Sequence, residues 1–215
     1  MNVDALFSQF QNQRILVVGD VMIDAYLRGD VTRISPEAPV PIVNLKKSED
    51  RLGGAANVAM NLSSLGAKPI LCAIVGNDKG GRTFLELLEK RNLDPSGMIQ
   101  SDQRSTTIKT RVIGNNHHLI RIDQEDESAL NNSLENQLID KVASLIQNVD
   151  AIILEDYNKG LLTARVIQEI IGLANELNIP VTADPKKENF FAYKNVTLFK
   201  PNLKELKEGL GVDFD

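Results

Sequence analysis

The chain contains five short apolar runs, separated by longer stretches in which apolar residues recur at spacings of three and four. Continuous apolar runs are typical of strands buried on both faces of a parallel sheet, and the crossover between two such strands is usually a helix. The alternation therefore predicts an α/β fold with a mainly parallel sheet. The predicted strands are Arg14–Gly19, Pro69–Gly76, Ala151–Leu154, Pro180–Ala183 and Val196–Lys200, and the predicted helices are Ala55–Leu65, Gly80–Arg91, Asn132–Gln147, Ala164–Leu177 and Asn202–Gly209.

Two further segments, residues 26–45 and 107–123, alternate apolar and polar side chains instead. Alternation with a period of two predicts strands that have one face in water. The triplet Gly114-Asn115-Asn116 between apolar residues indicates a hairpin in the second segment. We interpret both segments as one small sheet outside the main layer, which would serve either as a lid over a site or as a dimerisation surface.

Charge and composition exclude several classes of protein. There are 24 Lys and Arg residues against 29 Asp and Glu residues, a formal net charge of -5, so the broad basic field of a nucleic-acid binder is not expected. No apolar run approaches the roughly 20 residues that cross a bilayer. The single Cys72 cannot form an internal disulfide, and the first residues lack a charged leader. These features predict a cytoplasmic protein with no membrane partner.

A glycine pair, Gly53-Gly54, opens the first long predicted helix and places Asn57 in its first turn. Missing side chains allow a ligand to approach the free backbone amides at a helix start. Tight packing of helix against sheet explains the same glycines equally well. A Walker-type NTPase is disfavoured, because no Gly-x-x-x-x-Gly-Lys-Ser/Thr motif occurs.

Polar residues follow two of the predicted strands at their carboxyl ends, where ligands usually bind in open α/β sheets. Asp20 follows the first strand and could accept hydrogen bonds from substrate hydroxyls, with Asp24 as a second candidate. A turn hydrogen bond is the alternative role for Asp20. Asp156 and Lys159 lie in a polar loop after a later strand, which is either a site or a solvated loop.

Further charged residues fit a phosphorylated ligand. Asn202 and Glu205 are three residues apart, so on a helix they share a face and could orient magnesium-bound water or phosphate, with Lys186 adding positive charge. Simple N-terminal capping of the last helix explains the same pair. Arg111 and Arg121 on the alternating segment could bind a phosphate under a lid, or be ordinary solvated strand residues.

Taken in order, these motifs resemble the ribokinase/phosphofructokinase-B family of sugar kinases, and within it the kinases of heptose 7-phosphate. The resemblance covers nearly the whole chain and implies a three-layer α/β core with a small β lid, so residues 1–215 are expected to be the N-terminal part of one kinase domain. The motifs are VVGDVMID at 17–24, RISPEAPVPIV at 33–43, GGAANVAMNLSSLGA at 53–67, LIRID at 119–123, DYNKG at 156–160, ADPK at 183–186 and KPNLKE at 200–205.

The resemblance implies transfer of the γ-phosphoryl group of ATP to O1 of D-glycero-D-manno-heptose 7-phosphate, a step toward the ADP-heptose of lipopolysaccharide core assembly. It implies Mg²⁺ as the cofactor, with Glu205 near the ion through water. The residues that it implies for the sugar and its phosphate are Asp20, Gly53, Gly54, Asn57, Asp156, Lys159, Arg111 and Arg121. Those that it implies for the nucleotide are Lys186, Asn202, Leu203, Lys204 and Glu205.

The family's Gly-Ala-Gly-Asp element, which carries the catalytic base and the amides of the anion hole, has no match in the 215 residues. No catalytic base is therefore assigned, and no nucleotidyltransferase domain is expected. We expect a truncated kinase domain that is either inactive or completed by a C-terminal partner chain, and a homodimer formed through the lid. Two alternatives stay open: another phosphosugar kinase of the family, or a non-catalytic module that binds a sugar phosphate or dimerises.

Overall fold

The computed structural model describes residues 3–212, so the expected domain 1–215 extends beyond the described residues at both ends. Within the described residues the strands are β1 (Arg14–Gly19), β2 (Val21–Ile34), β3 (Pro41–Gly54), β4 (Lys68–Gly76), β5 (Asp94–Ser101), β6 (Ile108–Gly114), β7 (His117–Gln124), β8 (Ala151–Glu155), β9 (Val181–Asp184) and β10 (Leu198–Phe199). The helices of this part of the chain are α1 (Val3–Phe10), α2 (Ala55–Ser64), α3 (Lys79–Lys90), α4 (Asn132–Ile146), α5 (Ala164–Glu176) and α6 (Leu203–Leu210).

The larger sheet has six parallel strands in the order β10-β9-β8-β1-β4-β5. Its central strand, β1, pairs with β8 on one side and β4 on the other, and Leu16, Val17 and Val18 on it are fully buried. Burial on both faces explains why these strands are continuous apolar runs. The predicted α/β class with a mainly parallel sheet is confirmed.

The smaller sheet has four strands in the order β3-β2-β6-β7, and β2 is parallel to β6 but antiparallel to β3. Residues 35–40, which include Pro36 and Pro39, form the loop between β2 and β3, since proline cannot donate to a strand ladder. Asn115 and Asn116 form the tight turn of the predicted β6–β7 hairpin, with φ values of 49° and 66°. Two of its strands are longer than predicted on the core side: β2 begins at Val21, with only Asp20 between it and β1, and β3 continues to Gly54.

Two elements are absent from the sequence prediction, α1 and β5. The sequence of β5, DPSGMIQS, contains proline and glycine and lacks a continuous apolar run. It becomes a strand because it pairs with β4 at the edge of the larger sheet, where only part of it is buried. Tertiary pairing therefore outweighs the weak local preference of this segment.

Helix ends are determined by local chemistry. The Thr163 side chain caps α5 by accepting a hydrogen bond from the Val166 N–H at 3.2 Å, and Gly66 ends the turn after α2 with a φ of 94°. The last helix begins at Leu203, one residue later than predicted, because Asn202 is its N-cap. Within residues 3–212, no helix is both long enough and apolar enough to cross a membrane.

Phe84, on the buried face of α3, allows a test of how the core contributes to stability. Phe84 is fully buried, so Phe84→Ala should lower the free energy of unfolding by about 3–5 kcal/mol through lost burial and a cavity. Phe191, which is 67% exposed, provides the matched control, and Phe191→Ala should cost less than about 1 kcal/mol. Urea unfolding of both variants checks the difference, and equal losses would contradict this assignment of the core.

Candidate sugar and nucleotide site

The candidate site lies between the carboxyl edge of the larger sheet and the polar face of the small sheet. Strand register places Tyr26 of β2 opposite Arg111 of β6, and Arg111 opposite Arg121 of β7, so these three side chains share one face. Lys159, in the loop after β8, forms an ion pair with Glu125, just beyond β7. This polar face therefore meets the loop after β8.

Asp20 is buried, and its carboxylate is bonded to the protein itself. One oxygen accepts hydrogen bonds from the backbone N–H groups of Tyr157 and Lys159 at 3.0 and 3.1 Å, and the other accepts from Leu161 at 3.2 Å. Burial raises the pKa of Asp20, and the three N–H donors oppose that shift. These contacts fit the turn role that was the alternative for Asp20, and its contact with sugar stays a prediction.

Asp156 stabilises the same loop from its other end. Its carboxylate accepts hydrogen bonds from the Tyr193 hydroxyl and from the Asn158 N–H, both at 2.8 Å. Burial raises the pKa of Asp156, and these two donors oppose the shift. Gly160 has a φ of 81°, and a Cβ there would collide with the Ser128 carbonyl oxygen, so the loop requires glycine at that position. The loop after β8 is therefore held in a defined conformation by contacts within the protein.

Lys159 projects from this loop to the small sheet. Its ammonium group pairs with Glu125 at 2.9 Å and with Glu127. Lys109 of β6 also pairs with Glu125, at 2.8 Å, and the two lysines hold the pKa of Glu125 below its usual value. Lys159, which is predicted to lie near the substrate, is thus paired with two carboxylates of the chain itself.

Gly53 and Gly54 end β3, and both are used for close packing. A Cβ on Gly54 would collide with the Asp20 carbonyl oxygen, and its φ of 61° also favours glycine. A Cβ on Gly53 would lie 2.6 Å from a carboxylate oxygen of Asp24. This supports the packing explanation for the pair, whereas their contact with a ligand stays a prediction.

Asn57 and Asp24 line a cleft of about 530 Å³ next to the glycine pair. Asn57 is exposed in the first turn of α2, and the Asp24 side chain is 24% exposed. The Arg111 guanidinium donates a hydrogen bond to Asp24 at 2.5 Å, so the predicted cation and the second candidate carboxylate are in contact. Arg121 is farther out, 60% exposed, and pairs with Asp123 at 2.9 Å.

The predicted nucleotide residues meet at the start of α6. The Asn202 side chain accepts a hydrogen bond from the Glu205 N–H at 2.9 Å, and Glu205 accepts one from the Asn202 N–H at 2.8 Å, which is a capping box. The other oxygen of Glu205 pairs with Lys186. Leu203 and Lys204 are exposed on the first turn of this helix. The capping box explains the positions of Asn202 and Glu205. The nucleotide role predicted for the same residues remains compatible with it, because the ion pair of Glu205 places the positive charge of Lys186 beside them.

Glu205 is the residue predicted to lie near magnesium, and the contacts of its carboxylate indicate how it could hold the ion. Both Glu205 oxygens already accept hydrogen bonds, which fits an interaction through water better than direct coordination. Across residues 3–212, no cluster of three or more His, Cys, Asp or Glu side chains is arranged to hold a metal ion.

Four residues at or beside the candidate site are absent from the sequence prediction: Tyr26, Arg28, Arg51 and Glu125. Tyr26 and Arg51 line the same cleft as Asn57, and Glu125 pairs with Lys159. Their charges and alternation were visible in the sequence, but only the strand register places them together.

The comparisons with known proteins agree with this architecture. Two solved structures share the fold at low sequence identity: the tetrameric inhibited form of phosphofructokinase-2 from Escherichia coli (TM-score 0.71, 18% identity, 95% of this chain and 66% of that chain) and a carbohydrate kinase from Agrobacterium tumefaciens (TM-score 0.69, 19% identity, 93% and 64%). The parallel sheet with its small second sheet is therefore the fold of ribokinase-like sugar kinases.

A family model described as pfkB family carbohydrate kinase matches residues 12–214, and the chain belongs to that family. The bifunctional protein HldE of Helicobacter pylori strain J99 is 44% identical over 203 residues, which are 94% of this chain and 44% of that protein. HldE of Wolinella succinogenes is 42% identical over 201 residues, 94% and 42% of the two chains. The chain thus spans less than half the length of these curated relatives.

Glu155, at the end of β8, has an unusual protonation equilibrium. It is buried beside Asp184, its register partner on β9, and these two effects raise its pKa to about 7 in spite of Lys200 and Lys186 nearby. Glu205 adds to the shift. The carboxyl group therefore takes up a proton on folding at pH values at which the unfolded chain has lost it.

This linkage predicts a pH-dependent stability. Between pH 4.5 and about 7 the folded chain binds more protons than the unfolded chain at Glu155, so the free energy of unfolding falls as the pH rises through this window. Glu155→Gln removes this titration. The free energy of unfolding of the variant minus that of wild type should therefore increase as the pH rises through the window and become constant above it. Urea unfolding against pH, with exposed Glu86→Gln as the matched substitution, measures this. A constant difference between Glu155→Gln and wild type would contradict the prediction.

Proposed function

We propose that this chain binds heptose 7-phosphate as the sugar-binding part of an ATP-dependent kinase that phosphorylates O1. Family membership and the identity with HldE proteins support a sugar kinase, and the heptose motifs at 17–24 and 156–160 support the substrate. The observation that carries the proposal is the cleft in which Asp24 and Asn57 lie beside a guanidinium group. Hydroxyl-binding groups next to a phosphate-binding group match a phosphosugar.

In this proposal the sugar hydroxyls bind to Asp24 and Asn57, two of the accessible polar residues that line the cleft. Asp24 is charged and acceptor-only, whereas the Asn57 amide both donates and accepts, so together they match hydroxyl groups. Asp20 and Asp156 contribute indirectly: their carboxylates hold the loop from which Lys159 reaches the polar face of the small sheet.

The nucleotide is proposed to bind at the segment 200–205 together with Lys186. Phosphoryl transfer needs an aligned hydroxyl and neutralisation of the charge that grows on the transferred group. Mg²⁺ supplies much of that neutralisation when bound, and Lys186 adds a positive charge on the protein side. Glu205 contributes through water, and its ion pair with Lys186 holds both groups at the start of α6.

Calorimetric titration of the full chain with heptose 7-phosphate tests this function. Asp24→Asn should raise the Kd about tenfold or more, because a charged acceptor becomes a neutral amide. Asp30→Asn is the matched control, since Asp30 lies farther along the same strand and its carboxylate pairs with exposed Lys46 at 3.5 Å. We expect it to leave the Kd unchanged.

The same titration separates the alternatives. Absence of binding by wild type would overturn the heptose assignment, and tighter binding of a different sugar phosphate would favour another phosphosugar kinase. Binding without ATP-dependent turnover in a contaminant-free sample would support a sugar site kept on an incomplete kinase, an outcome that the non-catalytic module shares. Turnover that depends on Mg²⁺ would support the kinase.

We also propose that the chain dimerises through the small sheet, with a second copy as the partner. The face opposite Tyr26 carries Leu27, Val112, Ile120 and Ile122, and the two isoleucines are 57% and 54% exposed. Exposed apolar side chains grouped on one face are typical of interaction surfaces.

Light scattering of the purified chain tests the dimer. Wild type should have twice the chain mass, and Ile120→Lys should shift the equilibrium to monomer because a charge would be buried at the interface. Leu177, which is 38% exposed at the end of α5, provides the control Leu177→Lys, which should stay dimeric. A monomeric wild type, or a dimeric Ile120→Lys variant, would refute this interface.

A further inference from the structure

Three arginine side chains surround Tyr26 on the polar face of the small sheet. The guanidinium carbons of Arg28, Arg51 and Arg111 lie 5.3, 4.9 and 5.4 Å from the centre of its ring. Register explains the grouping: Arg28 follows two residues later on β2, Arg111 is opposite Tyr26 on β6, and Arg51 is diagonally placed on β3. Guanidinium groups at such distances are attracted to the ring. We call these four residues the Tyr26 cluster.

The positive charge of the cluster is only partly balanced. Arg51 donates to Glu49 at 2.7 Å and Arg111 donates to Asp24 at 2.5 Å. Within residues 3–212, the Arg28 side chain forms neither an ion pair nor a hydrogen bond, and its contact is with the Tyr26 ring. Three guanidinium groups thus face two carboxylates, and Glu49 also pairs with Lys47 at 2.8 Å. Among the same residues, the five donor groups of Arg28 have no protein acceptor. An anionic ligand with several acceptor oxygens would complete this arrangement.

We propose that the Tyr26 cluster binds the phosphate monoester of the sugar substrate and so selects a phosphosugar over the free sugar. This inference rests on the proposed function. The guanidinium group presents paired donors that match phosphate oxygens. Because Arg111 is in contact with Asp24, the cluster adjoins the group proposed for the sugar hydroxyls, and one ligand can reach both.

The cluster changes which lid cations are assigned to the phosphate. Arg121 shares the face, but its guanidinium is paired with Asp123 at 2.9 Å, and the guanidinium groups in contact with the Tyr26 ring are those of Arg28, Arg51 and Arg111. Arg28 and Arg51 replace it, and the sequence motifs include neither of them. Tyr26 holds the guanidinium groups together and thereby lowers the cost of keeping like charges adjacent.

Calorimetry with two ligands, heptose 7-phosphate and the unphosphorylated heptose, tests the proposal on the full chain. The double variant R28Q/R51Q should raise the Kd for the 7-phosphate about tenfold or more and leave the Kd for the free sugar unchanged. Glutamine keeps a polar side chain but removes the charge. Exposed Arg82→Gln on α3 is the matched control and should change neither Kd. Tyr26→Leu should weaken 7-phosphate binding more than Tyr26→Phe, which keeps the ring.

Inorganic phosphate, titrated as a separate probe, distinguishes failure of the subsite from failure of the proposed function. If R28Q/R51Q binds the 7-phosphate like wild type, or loses both sugars equally, the subsite is overturned while the function stands. If wild type binds neither sugar but binds inorganic phosphate in a manner that depends on Arg28 and Arg51, the subsite holds and the heptose function fails. No binding of any of the three ligands overturns both.

Discussion

The backbone and side chain of Asp20 join the parts of the structure that form the site. Its N–H donates to the Glu155 carbonyl of β8 at 3.3 Å, and its carbonyl accepts from the Ala55 N–H at the start of α2 at 2.9 Å. Its carboxylate accepts three N–H groups of the loop 157–161. A single buried residue therefore sets the relative positions of a strand, a helix start and a loop, which satisfies backbone donors that burial would otherwise make costly.

Charge pairing at the site follows a common pattern, in which nearly every cation is held by a carboxylate of the chain. Lys159 and Lys109 share Glu125, Arg111 binds Asp24, and Lys186 binds Glu205. These pairs keep long side chains in defined positions before a ligand arrives. An anionic ligand then exchanges with carboxylates already in place, and its net gain is smaller than the gross attraction suggests.

Apolar runs and helix spacing were sufficient to predict five of the six strands of the larger sheet, five of the six helices within residues 3–212 and the two-part small sheet. They were insufficient for β5, whose strand state depends on its pairing with β4, and for α1, where no such pattern was recognised. The carboxyl-edge rule led to Asp156 and Lys159, but the sequence left open whether Asp20 faces a ligand or its own loop. Strand register, which arises only on folding, is what brings Arg51 of β3 and Arg111 of β6 to Tyr26.

The direct passage from β1 into β2 has a mechanical consequence. Only Asp20 separates the two strands, so the small sheet is attached to the core by a short, stiff connection rather than by a flexible tether. A rotation of the small sheet about this junction would pull on the residue whose carboxylate holds the loop 157–161. We therefore expect the tilt of the small sheet and the conformation of the loop 157–161 to change together, because both depend on the position of Asp20.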